Sequence, residues 1–372
     1  MNNLTIDDIL RGTELGQVQS VGHMQVVPLL GRSDDRYAPP ELEVETTAYG
    51  TVVLRNRDAR PTIVPPGAGW VVKQSAQDHA LGGGALLGAN QQATIATARC
   101  IQSSQCGMIR AAKHPMLVLP AALRPHALAT RKEVGYNKLW DAIAKFNGTH
   151  GVRANGHLEY FLRQFKEQLG RFVAEFELVP DQVGAIVLVG GRVAGIERAP
   201  STAFWRVLWE PLIRVCYGSL AVARARETAL PPDTRVPMRP GAQSIRELRE
   251  RLLEAEGATT GRVLEELESL RPHGLRVAGD VDQRLGQERL QTVASRQLAG
   301  QVVARERGEI AYVSVSTTSV EGFDAPVVAA TSAEPVEPAA EIRIESEDSG
   351  EAQVGVEQAG WYARAIRWLF GS

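Results

Sequence analysis

The sequence predicts an α+β protein: a mixed or antiparallel β-rich core with packed helices, a helical insertion, and a disordered acidic tail that ends in an amphipathic helix. Three observations predict this class. Short strand-like runs separated by turn signals fill the first hundred residues. Apolar residues recur at helical spacing between residues 137 and 176. After residue 330 the composition turns acidic and rich in proline, alanine and glycine.

Length and composition fit a globular protein with one or two cores. The 372 residues are 44% hydrophobic and 23% charged. With 41 basic and 43 acidic residues, the net charge of -2 gives no overall attraction to nucleic acid or to anionic lipid. The polar N-terminus lacks a signal-peptide pattern, and no run approaches the roughly 20 apolar residues that span a bilayer.

Cysteine usage favours a reducing, cytoplasmic compartment. Three cysteines in a chain of this length do not form a disulfide framework. Cys100 and Cys106 have no second pair that would complete a zinc site, and they are expected to be small buried side chains. We therefore predict neither a metal nor a cofactor.

The β-rich part of the core is predicted to begin at residue 16, after a leader of residues 1–15. Apolar residues alternate with small or polar ones in short runs, and each run is closed by glycine, proline or asparagine. Tyr49-Gly50 has the composition of a hairpin turn. The strand candidates lie at residues 18–29, 42–46, 51–54, 62–64, 70–73, 93–101 and 116–120.

The rest of the core, to residue 230, is predicted to contain helices around one central hairpin. Residues 183–196 are apolar at nearly every position and turn at Gly190-Gly191, which predicts two strands covered on both faces. Residues 204–222 carry aromatic and aliphatic side chains at helical spacing and are expected to face that hairpin.

A helical insertion or subdomain is predicted over residues 231–304, after a proline-rich connection. A capping box at Ser244 starts a charged helix that is expected to stop near Gly257. A second helix is predicted from Gly261 to Leu270 and a third from Gln287 to Ala304. Residues 305–322 contain a clearly alternating strand, which is expected to return to the main sheet.

The C-terminal region is predicted to be an acidic flexible linker, residues 323–358, followed by an amphipathic docking helix, residues 359–372. Arg343 is the one basic residue among residues 331–358. The helix would bury its apolar face on the protein itself, on a protein partner, or weakly at a membrane interface. The predicted docking residues are Trp361, Tyr362, Ile366, Trp368, Leu369 and Phe370.

A glycine-dense segment carries the one candidate for a ligand site. Backbone amides of glycine-rich loops can wrap a phosphate, although this segment lacks the pattern of a P-loop or a dinucleotide fingerprint, and a loop without a ligand has the same composition. The candidate binding residues are Gly82, Gly83, Gly84, Gly88, Gln91 and Arg99. Asp78 and His79, a neighbouring carboxylate and imidazole, are the weak catalytic candidates.

Several short segments, taken in order, resemble the ARPP-1 family, a bacterial domain named for its association with ADP-ribosylglycohydrolases and rhodanese-phosphatase proteins. The similar segments are residues 22–30, 52–61, 87–92, 138–141, 183–195 and 309–316. The family's Gly-Ala-Lys-Gln-Asn-Arg stands here as Gly88-Ala-Asn-Gln-Gln-Ala93, without the lysine and the arginine. The strand from Arg99 also lacks the family's closing Arg-Trp. The resemblance therefore does not carry a phosphate contact at those positions over to this chain.

Two functional hypotheses follow. The first is a non-enzymatic structural or binding protein that assembles with itself or with protein partners, as in viral or other multi-subunit assemblies, and uses the C-terminal helix for docking. The second, implied by the resemblance, is binding or hydrolysis of a nucleotide-derived, ADP-ribose-like phosphate compound at the glycine-dense loop. The second hypothesis predicts a concave pocket where that loop meets Asp78, Gln91 and Arg99.

Overall fold

The computed structural model describes residues 3–72, 76–104, 107–227, 245–271, 274–305, 308–320, 323–324 and 343–346. Its strands are β1 (Asn3–Leu4), β2 (Thr13–Leu15), β3 (Gln19–Val21), β4 (Met24–Gly31), β5 (Glu43–Ala48), β6 (Thr51–Arg55), β7 (Thr62–Val64), β8 (Ala68–Trp70), β9 (His79–Ala80), β10 (Ala85–Leu87), β11 (Gln91–Ile95), β12 (Arg99–Cys100), β13 (Ala112–Lys113), β14 (Met116–Val118), β15 (Gln182–Val189), β16 (Arg192–Arg198), β17 (Leu275–Val277), β18 (Gln283–Leu285), β19 (Glu288–Ala294), β20 (Leu298–Arg305), β21 (Ile310–Thr317), β22 (Ser319–Val320), β23 (Phe323–Asp324) and β24 (Arg343–Ser346).

Eight α-helices and one π-helical segment lie within the described ranges. The α-helices are α1 (Ile6–Leu10), α2 (Arg124–Ala129), α3 (Trp140–Thr149), α4 (Leu158–Gln164), α5 (Lys166–Glu175), α6 (Thr202–Glu210), α7 (Gly218–Glu227) and α8 (Ile245–Leu270). The π-helical segment, Pro211–Tyr217, joins α6 to α7.

A large antiparallel sheet forms the centre of the molecule. Its strand order is β1-β17-β19-β20-β21-β16-β15-β4-β2, with β18 paired to β19 and β3 paired to β4. The sequence-distant strands β4, β15 and β21 are thereby neighbours or near neighbours. The protein is α+β, as the sequence predicted.

The β15–β16 hairpin confirms the prediction of a central, doubly covered hairpin. Gly190 and Gly191 adopt φ angles of 60° and 78°, which the two-residue turn requires and which side chains disfavour. Because side chains alternate along a strand, Ile186 enters the core on one face of the sheet and Val187 the core on the other. The strand therefore needs apolar side chains at consecutive positions, because both of its faces are buried.

Helices cover both faces of the main sheet. On one face, apolar side chains of α1 and α8 pack against the sheet, among them Ile9 and Val263. On the other face lie α2 to α7 and the π-helical segment, with Trp205 and Tyr217 fully buried. The predicted helical regions at 137–176 and 204–222 are thus confirmed.

Three smaller sheets, built from residues 43–118 together with β24, form a separate β-rich layer with its own core. Their strand orders are β13-β5-β6-β11-β24, β12-β9-β8-β14, and β10-β7. The hairpin between β5 and β6 turns at Gly50, as predicted, with a φ of 80°. Strand β10 of this layer lies against β18 of the main sheet, so the layer borders that sheet.

The predicted helix from Gln287 to Ala304 is wrong, because these residues form the β19–β20 hairpin of the main sheet. Leu290, Val293 and Leu298 fit helical spacing, but the chain turns back at Ser295 and the two halves pair as strands. The Ser295 amide donates to the Leu298 carbonyl at 2.7 Å, and the Ser295 hydroxyl accepts the Leu298 amide at 3.0 Å. A Cβ on Gly300 would lie 2.0 Å from a carbonyl oxygen of β21, so only glycine allows this close pairing.

Helix α8 corrects a second prediction, since it runs through Gly257 without a break. An interior glycine costs roughly 1 kcal/mol relative to alanine, and burial of Val263, Leu267 and Leu270 against the sheet offsets that cost. The capping residue Ser244 lies outside the described residues.

The predicted docking helix also lies outside the described residues, together with Trp361, Tyr362, Ile366, Trp368, Leu369 and Phe370. Among the residues that are described, no helix has the length and apolar character needed to cross a membrane.

Candidate functional site

A cleft of about 330 Å³ lies where the β-rich layer, helix α2 and the main sheet meet. We call it the glycine-loop cleft, because Gly82, Gly83 and Gly84 form part of its wall. The segment after β11, Ala96-Thr97, and the residues that follow α2 form further parts. The lining residues are Leu81, Gly82, Gly83, Gly84, Thr94, Ile95, Ala96, Thr97, Arg131, Lys132, Asp282, Gln283 and Gln301.

Two cations and one carboxylate dominate the electrostatics of the cleft. Arg131 donates from Nε and Nη2 to one oxygen of Asp282, at 3.1 and 2.9 Å. Lys132 Nζ lies 3.4 Å from the same oxygen, and 53% of the lysine side chain is exposed. One carboxylate cannot neutralise two cations, so the cleft keeps a formal charge of about +1 with an accessible ammonium group at its rim.

Asp282 is held as an anion and is fully engaged. Burial alone would raise the pKa of this carboxyl, but Arg131 and hydrogen bonds from Thr292 and Gln301 hold the pKa below its ordinary value. Gln301 Nε2 donates to Asp282 Oδ2 at 3.0 Å, and Gln301 Oε1 accepts the Gly84 amide at 2.6 Å. The carboxylate therefore holds the two cations directly and the glycine loop through Gln301. Both of its oxygens are occupied, so it is not placed to act as a general base.

The glycines of this loop are explained by close packing. A Cβ on Gly82 would lie 2.5 Å from the Ala127 carbonyl oxygen of α2, and a Cβ on Gly84 would lie 2.6 Å from the Val64 carbonyl oxygen of β7. Real Cβ atoms do not approach other atoms so closely. The glycines thus let two backbones touch the loop, and this contact places bare main chain at the cleft wall.

The other predicted binding residues do not line the cleft. Gln91 Oε1 accepts the Gly88 amide at 2.8 Å, a contact that closes the turn before β11. Arg99 is fully buried; its Nη1 donates to the Thr97 carbonyl at 2.7 Å and its Nη2 to the Thr130 carbonyl. Because Thr97 and the residue after Thr130 both line the cleft, Arg99 supports its wall from behind.

Asp78 and His79 lie in the β-rich layer, outside the cleft. The His79 Nε2 atom accepts the Gly50 amide at 3.1 Å, so the ring proton resides on Nδ1, which donates to the Gln77 carbonyl at 2.8 Å. Burial lowers the pKa of His79, and the ring stays neutral. Nε2 holds the hairpin turn and Nδ1 is bonded to Gln77, so His79 is not available as a proton acceptor.

The neighbours of His79 are equally enclosed. Cys100 Sγ lies 3.4 Å from His79 Nε2, and burial raises the pKa of this thiol to about 12. Asp78 accepts the Val72 amide at 2.7 Å, and burial raises the pKa of this carboxyl to about 7. Cys100 and Cys216 are buried and free, as expected for Cys100, while Cys106 lies outside the described residues.

A second polar cluster is entirely enclosed between α2, the π-helical segment and the main sheet. Arg124 Nη1 donates to Glu197 Oε1 at 2.7 Å, and Tyr217 donates to the same oxygen at 2.6 Å. Arg124 Nη2 donates to the Ser314 hydroxyl at 2.5 Å. Burial opposes the charge on Arg124, but Glu197 raises the pKa of the guanidinium well above its ordinary value. This cluster ties the helices to the sheet and presents no surface to a ligand.

Sequence reasoning found the glycine loop but missed Arg131, Lys132 and Asp282. Asp282 lies 151 positions from Arg131, and no motif links the two segments before the chain folds. The one available signal was the adjacent pair Arg131-Lys132 directly after α2. Within the described ranges, no three histidine, cysteine, aspartate or glutamate side chains are arranged to hold a metal ion.

Comparison with known proteins gives one match. Residues 12–315 match the model of the ARG and Rhodanese-Phosphatase-superfamily-associated Protein domain, ARPP-1. No curated protein and no solved structure matches the chain. The matched residues include every side chain of the glycine-loop cleft and exclude β24.

Proposed function

Because the chain belongs to the ARPP-1 family, we propose that its family domain binds a phosphate-bearing small molecule in the glycine-loop cleft. The observation that carries the proposal is the pairing of two cations, Arg131 and Lys132, with the single carboxylate of Asp282. The excess positive charge is partly accessible, and a phosphate group would complete its neutralisation.

The surrounding geometry supports binding of a small anion. Small-molecule sites commonly occupy about 300–1,000 Å³ and lie between structural layers, and this cleft of about 330 Å³ fits the lower end of that range. Hydroxyl groups of Thr94 and Thr97 and the main chain of Gly83 supply further polar lining. A nucleotide-derived, ADP-ribose-like compound would place its phosphates here and leave its remaining groups outside.

We propose binding rather than hydrolysis. A hydrolytic site needs a group that can accept a proton from water close to the ligand. In the cleft, Asp282 is committed to Arg131, Lys132 and Gln301. Asp78 and His79, the candidates named from the sequence, lie elsewhere. The proposal is therefore a non-enzymatic binding protein.

Lys132→Gln is expected to weaken phosphate binding by about tenfold or more, because a hydrogen bond to a charged group is worth roughly 1.5–3 kcal/mol. Isothermal titration calorimetry of the full chain with inorganic pyrophosphate and with ADP-ribose measures this effect. Lys145→Gln removes an exposed lysine from α3 and is the matched control. Equal affinities for the wild type and K132Q, or no binding of either compound by the wild type, would refute the proposal.

Assembly with itself or with a protein partner is the second candidate function. One observation favours it: β24, which lies beyond the family match, pairs with β11 of the core, so at least this short segment can add to a sheet edge of folded protein. We place this assembly in the cytoplasm, where the free thiols of Cys100 and Cys216 would stay reduced.

Truncation after Ala330 is expected to lower the solution mass from an oligomer to a monomer if the C-terminal region mediates self-assembly. Light scattering on the full chain and on the truncated chain measures this change. A full chain that is already monomeric would exclude self-assembly, and capture of a protein partner by residues 331–372 would then be the remaining form of this candidate.

A further inference from the structure

A second cleft, of about 500 Å³, lies between helices α5 and α7 and the turn that joins β3 to β4. We call it the α5–α7 cleft. It shares no lining residue with the glycine-loop cleft. Its volume lies within the range of about 300–1,000 Å³ that is usual for small-molecule sites. The cleft is therefore large enough for a ligand of its own.

The floor of the cleft is apolar. Phe172 of α5 and Ala221 and Val222 of α7 are buried members of the core beneath these helices. Val21, which precedes the turn, packs against the same core. All four side chains also line the cleft. A ligand must therefore present apolar surface, such as an alkyl chain or a ring, to this floor.

The charged groups around this floor are basic. Arg171 and Arg226 line the cleft, one from each helix, together with His23 from the turn. Within the described residues, no aspartate or glutamate side chain lines it. Arg171 pairs with Glu175 at 2.9 Å in an exposed ion pair, which contributes little and can exchange for a ligand. Arg226 donates from Nη1 to the His150 carbonyl and forms no ion pair with a described residue. The charges in the cleft thus favour an anion.

His23 is the unusual group in this cleft. It is 5% exposed, and neither ring nitrogen has a hydrogen-bond partner among the described residues. The backbone of the turn is fixed without the ring, because Val21 pairs with Met24 across it. In addition, the His23 carbonyl accepts the Gly190 amide at 2.9 Å. Burial of a polar group without a partner is costly. The imidazole is thus placed to form a hydrogen bond to a ligand in the cleft.

We propose that the α5–α7 cleft binds a small amphiphile. Its single anionic head group, a carboxylate or a phosphate, contacts Arg171, Arg226 and His23, and its alkyl chain or ring covers the apolar floor. Guanidinium groups bind both kinds of head group through paired N–H donors, and the imidazole adds a further donor. The two arginines disfavour the predicted C-terminal helix as the occupant, because that segment carries Arg364 and Arg367. This site is separate from the glycine-loop cleft and does not depend on the function proposed for it.

Isothermal titration calorimetry of the full chain with decanoate, below the concentration at which it forms micelles, tests the proposal. Decyltrimethylammonium has the same chain with the opposite charge, and acetate has the head group without the chain. We expect decanoate to bind at least about tenfold more tightly than either, because the charge and the chain both contribute. Decyl phosphate distinguishes the two head groups, since the tighter of the two anionic ligands identifies the one that the cleft prefers.

Arg171→Gln and Arg226→Gln are each expected to weaken decanoate binding about three- to tenfold, because each removes a charged hydrogen-bond donor. His23→Leu should weaken it by a similar factor, and His23→Asn, which keeps an N–H donor, should retain most of the affinity. Arg206→Gln, which removes an exposed arginine from α6, is the matched control. H23L also has a readout without ligand: its thermal unfolding should not shift to lower temperature, because the imidazole has no partner to lose. A clear shift to lower temperature would make His23 a structural residue and remove it from the site.

Three results would overturn the proposal as a whole. The first is equal binding of decanoate and decyltrimethylammonium, and the second is unchanged decanoate affinity in both R171Q and R226Q. The third is the absence of binding of both decanoate and decyl phosphate by the wild type. The pyrophosphate titrations of K132Q are independent of all three, so the two clefts are tested separately.

Hydrogen exchange of the unaltered chain with and without decanoate distinguishes a small-molecule ligand from a segment of the chain itself. Amides of α5 and α7 should exchange more slowly when decanoate is bound. Faster exchange of residues 331–358 on addition of decanoate would show that this acidic segment is displaced from the cleft. That result would assign the cleft to the chain's own acidic segment and overturn the proposal of a small amphiphile.

Discussion

Replacing Glu197 by glutamine is expected to lower the free energy of unfolding by about 3–5 kcal/mol, the largest effect of any single substitution proposed here. Glu197 is 1% exposed and accepts hydrogen bonds from Arg124 and Tyr217. The variant keeps the shape of the side chain but removes its charge. Arg124, 5% exposed, would then be a buried cation without a counter-ion.

The surrounding packing gives the cluster little freedom to adjust. A Cβ on Gly195 would lie 2.0 Å from the Tyr217 hydroxyl, so the tyrosine reaches Glu197 across a position that only glycine allows. Tyr217 itself is the last residue of the π-helical segment that joins α6 to α7. A π-helical turn holds an extra residue compared with an α-helical turn. Water cannot readily enter so closed a space to solvate the charge that is left on Arg124.

Chemical denaturation of the wild type and E197Q measures the loss. Glu175→Gln is the matched control, because Glu175 pairs with Arg171 on the exposed side of α5, where an ion pair contributes about 0–1 kcal/mol. The double variant Arg124→Met with Glu197→Leu removes both charges and should be more stable than E197Q. A loss below about 1 kcal/mol in E197Q would show that water reaches the cluster.

The parts of the fold that follow from local patterns were predictable, and the β15–β16 hairpin is the clearest example. Its strands are apolar at successive positions and its turn is Gly190-Gly191, so pattern and turn agree. The β19–β20 hairpin was predicted as a helix, but its apolar residues also suit a strand covered on both faces, since Leu290 enters one core and Val293 the other. Pairing with β17 and β21, which lie elsewhere in the sequence, decides between them.

The candidate site was only half predictable for the same reason. The density of glycine marks Gly82 to Gly84 in the sequence, but the physical cause is contact with α2 and β7 rather than a ligand. The charges of the cleft come from Arg131 and Lys132 after α2 and from Asp282 before β18. Only the folded sheet brings these segments together.

Replacing Asp78 by asparagine is expected to stabilise the protein above neutral pH and to have a smaller effect in acid. Asp78 is 2% exposed, and burial raises the pKa of its carboxyl from 3.8 to about 7. The folded state therefore holds the proton more tightly than the unfolded state does. Wild-type stability is greatest below pH 3.8, falls as the pH rises towards 7, and is constant above that with respect to this group.

The size of the effect follows from the pKa difference. A difference of about 3 corresponds to roughly 4 kcal/mol, which is an upper value because the site can relax. In the wild type the Val72 amide donates to the Asp78 carboxyl at 2.7 Å. Asparagine keeps an oxygen that can accept this hydrogen bond, and it has no charge that must be buried. The advantage of D78N over the wild type should grow by about 2 kcal/mol between pH 5 and pH 7 and then stay level.

Denaturation of both proteins at a series of pH values tests this expectation, because groups that titrate equally in both cancel in the difference. Asp35→Asn, which removes a carboxylate at an exposed position, is the control for the substitution itself. If the difference between D78N and the wild type is constant from pH 5 to pH 8, the Asp78 carboxyl is already ionised at pH 5. In that case Asp78 would be an ordinary hydrated carboxylate, and the enclosed arrangement around His79 and Cys100 would have to open to water. A difference that rises up to about pH 7 would instead place the pKa of Asp78 near neutrality, and the carboxyl named as a catalytic candidate would be a protonated part of the core in acid.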